Sequence, residues 1–129
     1  MSESQSERTI LVIDDDEQLR ESYAQLLEGH GFLVAQAGDA RAALDYCVNH
    51  VNPSLIVVDI HMPGMSGWEF LAVLKCYRRL ASVPILIVSA YPLDNAAIAV
   101  YPSLTKPVEP AMLIATIEEL LDVARPSFG

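Results

Sequence analysis

The sequence of 129 residues predicts an α/β fold in which helices cover both faces of a five-stranded parallel sheet. Its apolar runs are continuous and do not alternate with polar residues, which is typical of strands that are buried on both sides. Helical patterns separate these runs, so that a strand–helix unit occurs five times. In such folds the crossovers are right-handed and ligands bind beyond the carboxyl ends of the strands.

The strands are identified by their β-branched and apolar composition. Three candidates are strong and two are weaker because they are shorter or more polar. The strong candidates are Thr9–Asp14, Leu55–Asp59 and Pro84–Ala90, and the weaker ones are Phe32–Ala37 and Ser103–Thr105.

The helices are identified by apolar residues at a spacing of three and four. Asp16 and Ser66 are suitable N-caps for the first and third helices. Pro92 and Pro102 enclose the fourth helix and limit it to about two turns. The predicted helices are Glu17–His30, Asp39–His50, Ser66 to about Leu80, Leu93–Val100 and Glu109–Ala124.

Composition and length predict one globular domain. Hydrophobic residues make up 52% of the chain, which argues against disorder. We predict a flexible segment at residues 1–8, a domain at 9–125 and a tail at 126–129. No apolar run approaches the roughly 20 residues needed to cross a bilayer, and MSESQSE has no signal-peptide pattern. We therefore expect a cytoplasmic protein without a membrane partner.

The net charge of −9 argues against direct contact with nucleic acid, because phosphate contacts need basic patches. Cys47 and Cys76 are too far apart for a C-x-x-C site, and both fall in apolar helical patterns. We expect both to be buried free thiols rather than a disulfide or a metal site.

Polar residues stand at the predicted carboxyl ends of four strands: Asp14–Asp16, Asp59, Ser89 and Lys106. Each has a simple structural interpretation taken alone, such as a helix cap or a solvated charge. Together they would gather several carboxylates at one edge of the sheet, where like charges destabilise one another. A divalent cation removes this conflict, and carboxylate oxygens are the ligands that suit Mg²⁺.

Asp59 is the candidate nucleophile, because a buried strand holds it rigidly at the mouth of this acidic pocket. A carboxylate in that position can form an acyl phosphate. The metal and Lys106 would offset charge on the transferring phosphoryl group, and Ser89 could donate a hydrogen bond to it. Gly64 and Gly67 allow the loop behind Asp59 to turn tightly.

Four motifs then resemble response-regulator receiver domains of two-component signalling, in the chemotaxis-regulator-like superfamily. They are ILVIDDDEQLR, VVDIHMPGMSGWEFL, PILIVSA and LTKP, in the order and at spacings that suit the family. The resemblance runs from about Thr9 to Ala124. It implies a flavodoxin-like doubly wound fold with strand order 2-1-3-4-5, and a protein that is a phosphorylation-controlled switch and not a turnover enzyme.

The resemblance also implies roles for single residues. Asp59 would accept a phosphoryl group from a sensor histidine kinase or a phosphotransfer protein. Asp15 would bind Mg²⁺ directly, Asp14 mainly through water, and the backbone carbonyl of His61 would be a further ligand beside Asp59. Ser89 would be the switch hydroxyl. Lys106 would contact the phosphoryl group, with a cis peptide bond to Pro107.

Two features depart from the family pattern. Ser103 stands three residues before the lysine, where the family usually has Tyr or Phe. The segment from Ser89 to Lys106 is about five residues short, which shortens the fourth helix. We therefore expect a response centred on the Ser89–Pro92 loop, with the fifth predicted helix as the surface for a partner or a second copy. The downstream effector is not identified by the sequence.

Two other functions remain open at this point. Asp14 and Asp16 match the D-x-D motif of Mg²⁺-dependent phosphatases with an aspartyl nucleophile, although that interpretation leaves Asp59 without a role. A receiver-like interaction module that is never phosphorylated is the other alternative. The retained acidic residues argue against it, whereas Ser103 and the short fourth helix favour it.

Overall fold

The protein is described by a computed structural model that covers residues 8–93 and 100–124. Within these ranges five parallel strands form one sheet, namely β1 (Thr9–Ile13), β2 (Leu33–Ala37), β3 (Leu55–Asp59), β4 (Ile85–Ser89) and β5 (Ser103–Thr105). Their order across the sheet is β2-β1-β3-β4-β5, and every neighbouring pair is parallel. The predicted fold class and strand order are confirmed.

Three helices precede β4, and each begins with the cap that its sequence favours. They are α1 (Glu17–Gly29), α2 (Ala40–Asn49) and α3 (Gly67–Leu74). The Asp16 side chain accepts from the Leu19 amide at 3.1 Å, and Asp39 and Ser66 cap α2 and α3 in the same way. The last helix is Pro110–Ala124. Most of the predicted helix Leu93–Val100, namely residues 94–99, lies outside the described residues.

The core consists of two apolar layers, one on each face of the sheet. Leu11 and Ile13 of β1 point into the layer under α2 and α3, whereas Ile10 and Val12 point into the layer under α1 and the last helix. All four are at most 1% exposed. This burial on both faces explains why the strands appear in the sequence as continuous apolar runs.

Helix α3 is shorter than predicted, because it ends at Leu74 and not near Leu80. The Cys76 and Tyr77 amides bond to carbonyls three residues back, as in a tightening turn. The Arg79 side chain then donates to the His50 carbonyl at 3.1 Å, which ties this segment to the end of α2. The helical pattern continued in the sequence, but these tertiary contacts end the helix early.

The early end of α3 also corrects one of the two cysteine predictions. Cys47 on α2 is a buried free thiol, as expected. Cys76 is free but exposed, because it lies after the end of α3 and not on its buried face.

The last helix buries most of its described apolar side chains. Its buried side chains are Leu113, Ile114, Ile117 and Leu121, with Leu120 half-buried. Among the described side chains of this helix, Met112 is the large apolar one that is exposed, by 54%. No helix in the two described ranges has the length and hydropathy to cross a membrane.

Candidate functional site

Three carboxylates meet at the carboxyl edge of the sheet. Asp14 follows β1 and Asp59 ends β3, and the pairing of Ile13 with Val58 brings these strand ends side by side. Asp14, Asp15 and Asp59 each offer an oxygen, and these atoms lie within 4.8 Å of one another. Asp14 is 2% and Asp59 4% exposed, whereas Asp15 faces solvent. The cluster therefore concentrates negative charge at a largely buried position.

Lys106 supplies the positive charge next to these carboxylates. Its Nζ lies 3.0 Å from Asp14 Oδ2 and 3.6 Å from Asp59 Oδ2. The Lys106 amide donates to the Ser89 carbonyl at 2.7 Å, which fixes the backbone of the lysine to the end of β4. The Lys106–Pro107 peptide bond is cis, as the family resemblance implied.

Burial and neighbouring charges shift the pKa values of Asp59 and Lys106. Burial raises the pKa of Asp59 to about 6; the His61 amide and Lys106 act against this rise, and Asp14 and a hydrogen bond with Asp15 add to it. Burial alone would lower the pKa of Lys106, but Asp14 and Asp59 more than offset it, so that the pKa is raised. One ammonium group therefore does not neutralise three carboxylates.

The loop after Asp59 depends on two glycines, for different reasons. Gly64 has φ of 77°, in the left-handed region that side chains disfavour. A Cβ on Gly67 would lie 2.7 Å from Ile60 Cδ1 and 2.9 Å from the Asp59 carbonyl oxygen. Gly67 therefore allows α3 to begin in close contact with the end of β3.

Ser89 ends β4 and is 1% exposed, but its hydroxyl bonds away from the carboxylates. Ser89 Oγ donates to the Tyr91 carbonyl at 2.7 Å and accepts from the Tyr91 amide at 3.2 Å. The Tyr91 ring, in turn, meets the His61 ring edge-on with centroids 5.4 Å apart. The Ser89 hydroxyl thus holds the loop that follows it, at the side of the acidic cluster.

The structure brings together most of the predicted site residues, with one qualification. Asp16 does not join the carboxylate cluster, because its side chain caps α1. This geometry does not support the D-x-D phosphatase alternative. The amide of His61 donates to Asp59 Oδ1 at 3.1 Å, which places this residue beside the cluster.

Sequence reasoning missed Arg20. Its Nη1 donates to the Asp14 carbonyl at 2.9 Å, and its Nε donates to Gln36 Oε1 at 3.1 Å. The side chain therefore ties the end of β1 to the end of β2. The sequence does contain a signal for this contact, because Arg20 lies four residues after the N-cap Asp16. Residues at this spacing share one face of a helix, so Arg20 lies above the end of β1.

The donor set fits a divalent cation. Carboxylate oxygens are hard ligands, and two or three of them with open positions for water suit Mg²⁺ better than the nitrogen- or sulfur-binding metals. Asp14, Asp15 and Asp59 provide three such groups within 4.8 Å. The excess negative charge around Lys106 gives a physical reason for a cation to bind.

Comparison with known proteins identifies the family of the chain. The sequence profile of the family described as "Response regulator receiver domain" matches residues 10–118. Response regulator Rre1 of Synechocystis is 34% identical over 119 residues, covering 88% of this chain and 51% of that protein. The chain therefore belongs to the response-regulator receiver domain family, whose members are phosphorylation-controlled signalling switches.

Two solved structures share the fold. Chemotaxis response regulator CheY4 of Vibrio cholerae aligns with a TM-score of 0.80 at 26% identity, over 88% of this chain and 98% of that one. Response regulator TrrA of Thermotoga maritima, solved in complex with Mg(2+)-BeF, aligns with a TM-score of 0.76 at 26% identity and the same coverage. The chain spans about half the length of Rre1 and of several other curated relatives.

Proposed function

We propose that Asp59 is the phosphoacceptor of this receiver domain, with Asp14, Asp15, Lys106 and Ser89 as the supporting groups. The observation that carries the proposal is the convergence of three carboxylates and one ammonium group at a single strand edge. Asp59 is buried and holds a fixed position at the end of β3. Its neighbours include the carboxylate of Asp15 and the ammonium group of Lys106, which have opposite charges. A carboxylate so placed is suited to act as a nucleophile.

Asp14, Asp15, Asp59 and the His61 carbonyl are the groups that would hold Mg²⁺. The bound cation would offset charge on the transferring phosphoryl group, as in other phosphoryl transfers. The chain's own contribution is to fix the ligands. Arg20 holds the Asp14 backbone, and the His61 amide orients the Asp59 carboxylate.

The reaction is a transfer of one phosphoryl group from a phosphohistidine or a small phosphoryl donor. An Asp59 oxygen forms a bond to phosphorus while the bond from phosphorus to the donor nitrogen or oxygen breaks. The donor leaves with the electron pair. A histidine ring then takes a proton on the released nitrogen, whereas acetate leaves acetyl phosphate as the anion. Lys106, whose Nζ lies 3.6 Å from Asp59 Oδ2, would pair with an oxygen of the phosphoryl group and offset its charge.

The Ser89 hydroxyl couples the new phosphoryl group to the following loop. The hydroxyl cannot donate to a phosphoryl oxygen and to the Tyr91 carbonyl at the same time, because it has one proton. Its rotation would release the Tyr91 backbone and the contact with His61. This supports a response centred on the Ser89–Pro92 loop.

The partners follow from this role. A histidine kinase or a phosphotransfer protein would supply the phosphoryl group, and a downstream effector would bind the altered loop. The last helix is the surface we propose for a partner or a second copy, and Met112 is 54% exposed on it. The chain would act in the cytoplasm and catalyse only its own phosphorylation and dephosphorylation.

Incubation with acetyl phosphate and Mg²⁺, followed by intact mass measurement, tests the proposal. We expect one phosphoryl adduct on the wild type and none after chelation of the metal. Asp59→Asn keeps the shape but removes the nucleophile, and should take up none. Asp45→Asn is the matched control, because Asp45 is an exposed carboxylate on α2.

Two results would redirect the assignment. Sustained hydrolysis of a phosphate ester would favour the phosphatase alternative, and no adduct at all would favour the unphosphorylated interaction module. Uptake by Asp59→Asn at the wild-type rate would show that another residue is the acceptor.

A further inference from the structure

Tyr23 is a buried polar residue that the proposed chemistry does not yet use. It lies on α1 and belongs to the apolar layer that includes Val12, Val88 and Leu104. The residue is 6% exposed. In the described part of the chain, its hydroxyl is the buried side-chain oxygen that has no hydrogen-bond partner.

An unpaired buried hydroxyl is unfavourable, because the group gives up its bonds to water and receives none in return. Phenylalanine would fill the same space in this apolar layer without that loss. The hydroxyl is therefore explained either by an ordered water molecule or by a partner that reaches it in another state of the protein.

The position of Tyr23 in the fold indicates a candidate partner. Its apolar layer also contains Leu104 and Val108, which lie two residues before and two residues after Lys106. Burial is the main reason that the pKa of Tyr23 is raised; the ammonium of Lys106 opposes the rise, and the carboxylates of Asp14, Asp59 and Asp16 add to it. Lys106 exerts the largest influence among these charges. The phenol therefore stays neutral and can accept a hydrogen bond through its oxygen.

Lys106 has N–H donors to spare. An ammonium group carries three of them. One makes a hydrogen bond to Asp14 Oδ2 at 3.0 Å, whereas Asp59 Oδ2 lies at 3.6 Å, within ion-pair range but beyond hydrogen-bond range. Both carboxylates are also the proposed ligands of the metal, so Lys106 must be redirected when metal and phosphoryl group bind.

We propose that Tyr23 is a positioning residue for Lys106, whose Nζ donates a hydrogen bond to the Tyr23 hydroxyl oxygen when the site holds metal and a phosphoryl group. The inference rests on the proposed function, since it concerns the phosphorylated state of the same site. The hydroxyl is unpaired in the present state because Lys106 is drawn to Asp14 and Asp59. Binding of metal and a phosphoryl group would release Lys106 from these two carboxylates.

Tyr23→Phe removes only the hydroxyl, and beryllofluoride with Mg²⁺ serves as the phosphoryl probe. Fluorine NMR titration should show that the variant binds beryllofluoride about tenfold more weakly, as expected for loss of a hydrogen bond to a charged group. Its affinity for Mg²⁺ alone should be unchanged, and its melting temperature without ligands should be equal to the wild type or higher. Tyr46→Phe is the matched control, since Tyr46 is a half-buried tyrosine on α2 that stacks on His50.

A double-mutant cycle separates the positioning role from a general structural one. In the Lys106→Ala background, Tyr23→Phe should change the rate of phosphoryl uptake from acetyl phosphate by less than about twofold, against about tenfold when Lys106 is present. Equal beryllofluoride affinity of Tyr23→Phe and wild type would overturn the Tyr23 proposal alone. An equal fall in melting temperature with and without beryllofluoride would also overturn it and would assign the hydroxyl to a water molecule. Failure of the wild type to bind beryllofluoride would overturn the proposed function as well.

Discussion

The two sides of the acidic pocket are built differently. One side lies at the ends of β1 and β3, two five-residue strands in which every residue except Thr9 is buried. The side formed by β5 and the loop after β4 has a three-residue strand without a buried residue, and Tyr91 in the loop is 66% exposed. The proposed chemistry is thus on the rigid side, and the proposed response is on the side that can move at lower cost in packing.

The difference also explains where the family pattern is kept and where it is lost. Asp14 and Asp59 are fixed by strands that cannot shift without opening the core. Ser103, at the usual position of the aromatic residue, lies on the short strand. Tyr101 does not replace it, because its ring packs toward α3, 6.3 Å from the Trp68 ring and under Lys75.

The largest expected effect is on the rigid side. Asp15→Ala removes an exposed ligand without disturbing the core and should weaken Mg²⁺ binding at least about a hundredfold. The metal-free variant should be no less stable than the wild type, because the substitution reduces repulsion among the carboxylates. Isothermal titration calorimetry and thermal melting measure the two quantities, with Asp45→Ala as the control. A clearly lower metal-free melting temperature would argue against repulsion in the cluster.

Lys106 follows β5, but its ammonium group contacts Asp14 and Asp59 on the rigid side. Lys106→Ala should slow phosphoryl uptake from acetyl phosphate by about ten- to a hundredfold, because the ammonium group that offsets negative charge on the transferring phosphoryl group is lost. Affinity for Mg²⁺ should be equal or higher, since the ammonium competes with the cation for Asp14 and Asp59. Lys75→Ala is the control, as Lys75 contacts only the Tyr101 ring among the aromatic residues described. A large loss of Mg²⁺ affinity would assign Lys106 a role in holding the metal.

The raised pKa of Asp59 predicts a pH dependence of stability in the metal-free protein. In the folded state this pKa is about 6 against an ordinary value of 3.8, so the folded protein holds the proton more tightly than the unfolded chain. The stability that Asp59 contributes is therefore full below pH 4 and is lost as the pH rises to about 6. About two pH units correspond to roughly 2–3 kcal/mol.

Comparison with Asp59→Asn isolates this contribution from the other carboxylates. Urea unfolding with a chelator should show the variant gaining stability relative to the wild type between pH 4 and 6, and no further gain above that range. Mg²⁺ should reduce the difference, because it favours the ionised carboxylate. A constant difference in stability over this pH range would mean that other contacts offset the cost of burying the ionised Asp59 carboxylate.

Much of the rigid side could be predicted from the sequence. Continuous apolar runs identified β1, β3 and β4, and the parallel sheet then placed Asp14, Asp59, Ser89 and Lys106 at one edge. The sequence did not predict the end of α3 at Leu74, because Arg79 bonds to α2 across the fold. It also did not predict that the Ser89 hydroxyl bonds to Tyr91, since that choice depends on the course of the loop backbone. Local patterns identify the elements, whereas contacts between distant segments set their ends and the orientation of hydroxyl groups.

The coupling between the two sides is tested most directly by amide hydrogen exchange with and without Mg²⁺ and beryllofluoride. The wild type should show its largest change in the Ser89–Pro92 loop, because the Ser89 hydroxyl leaves the Tyr91 amide and carbonyl for the phosphoryl mimic. Ser89→Ala should still bind the mimic, since Asp59 and Lys106 remain, but should lose most of the change in this loop. The largest change in Leu93–Val100, or an equal change in Ser89→Ala, would contradict the account.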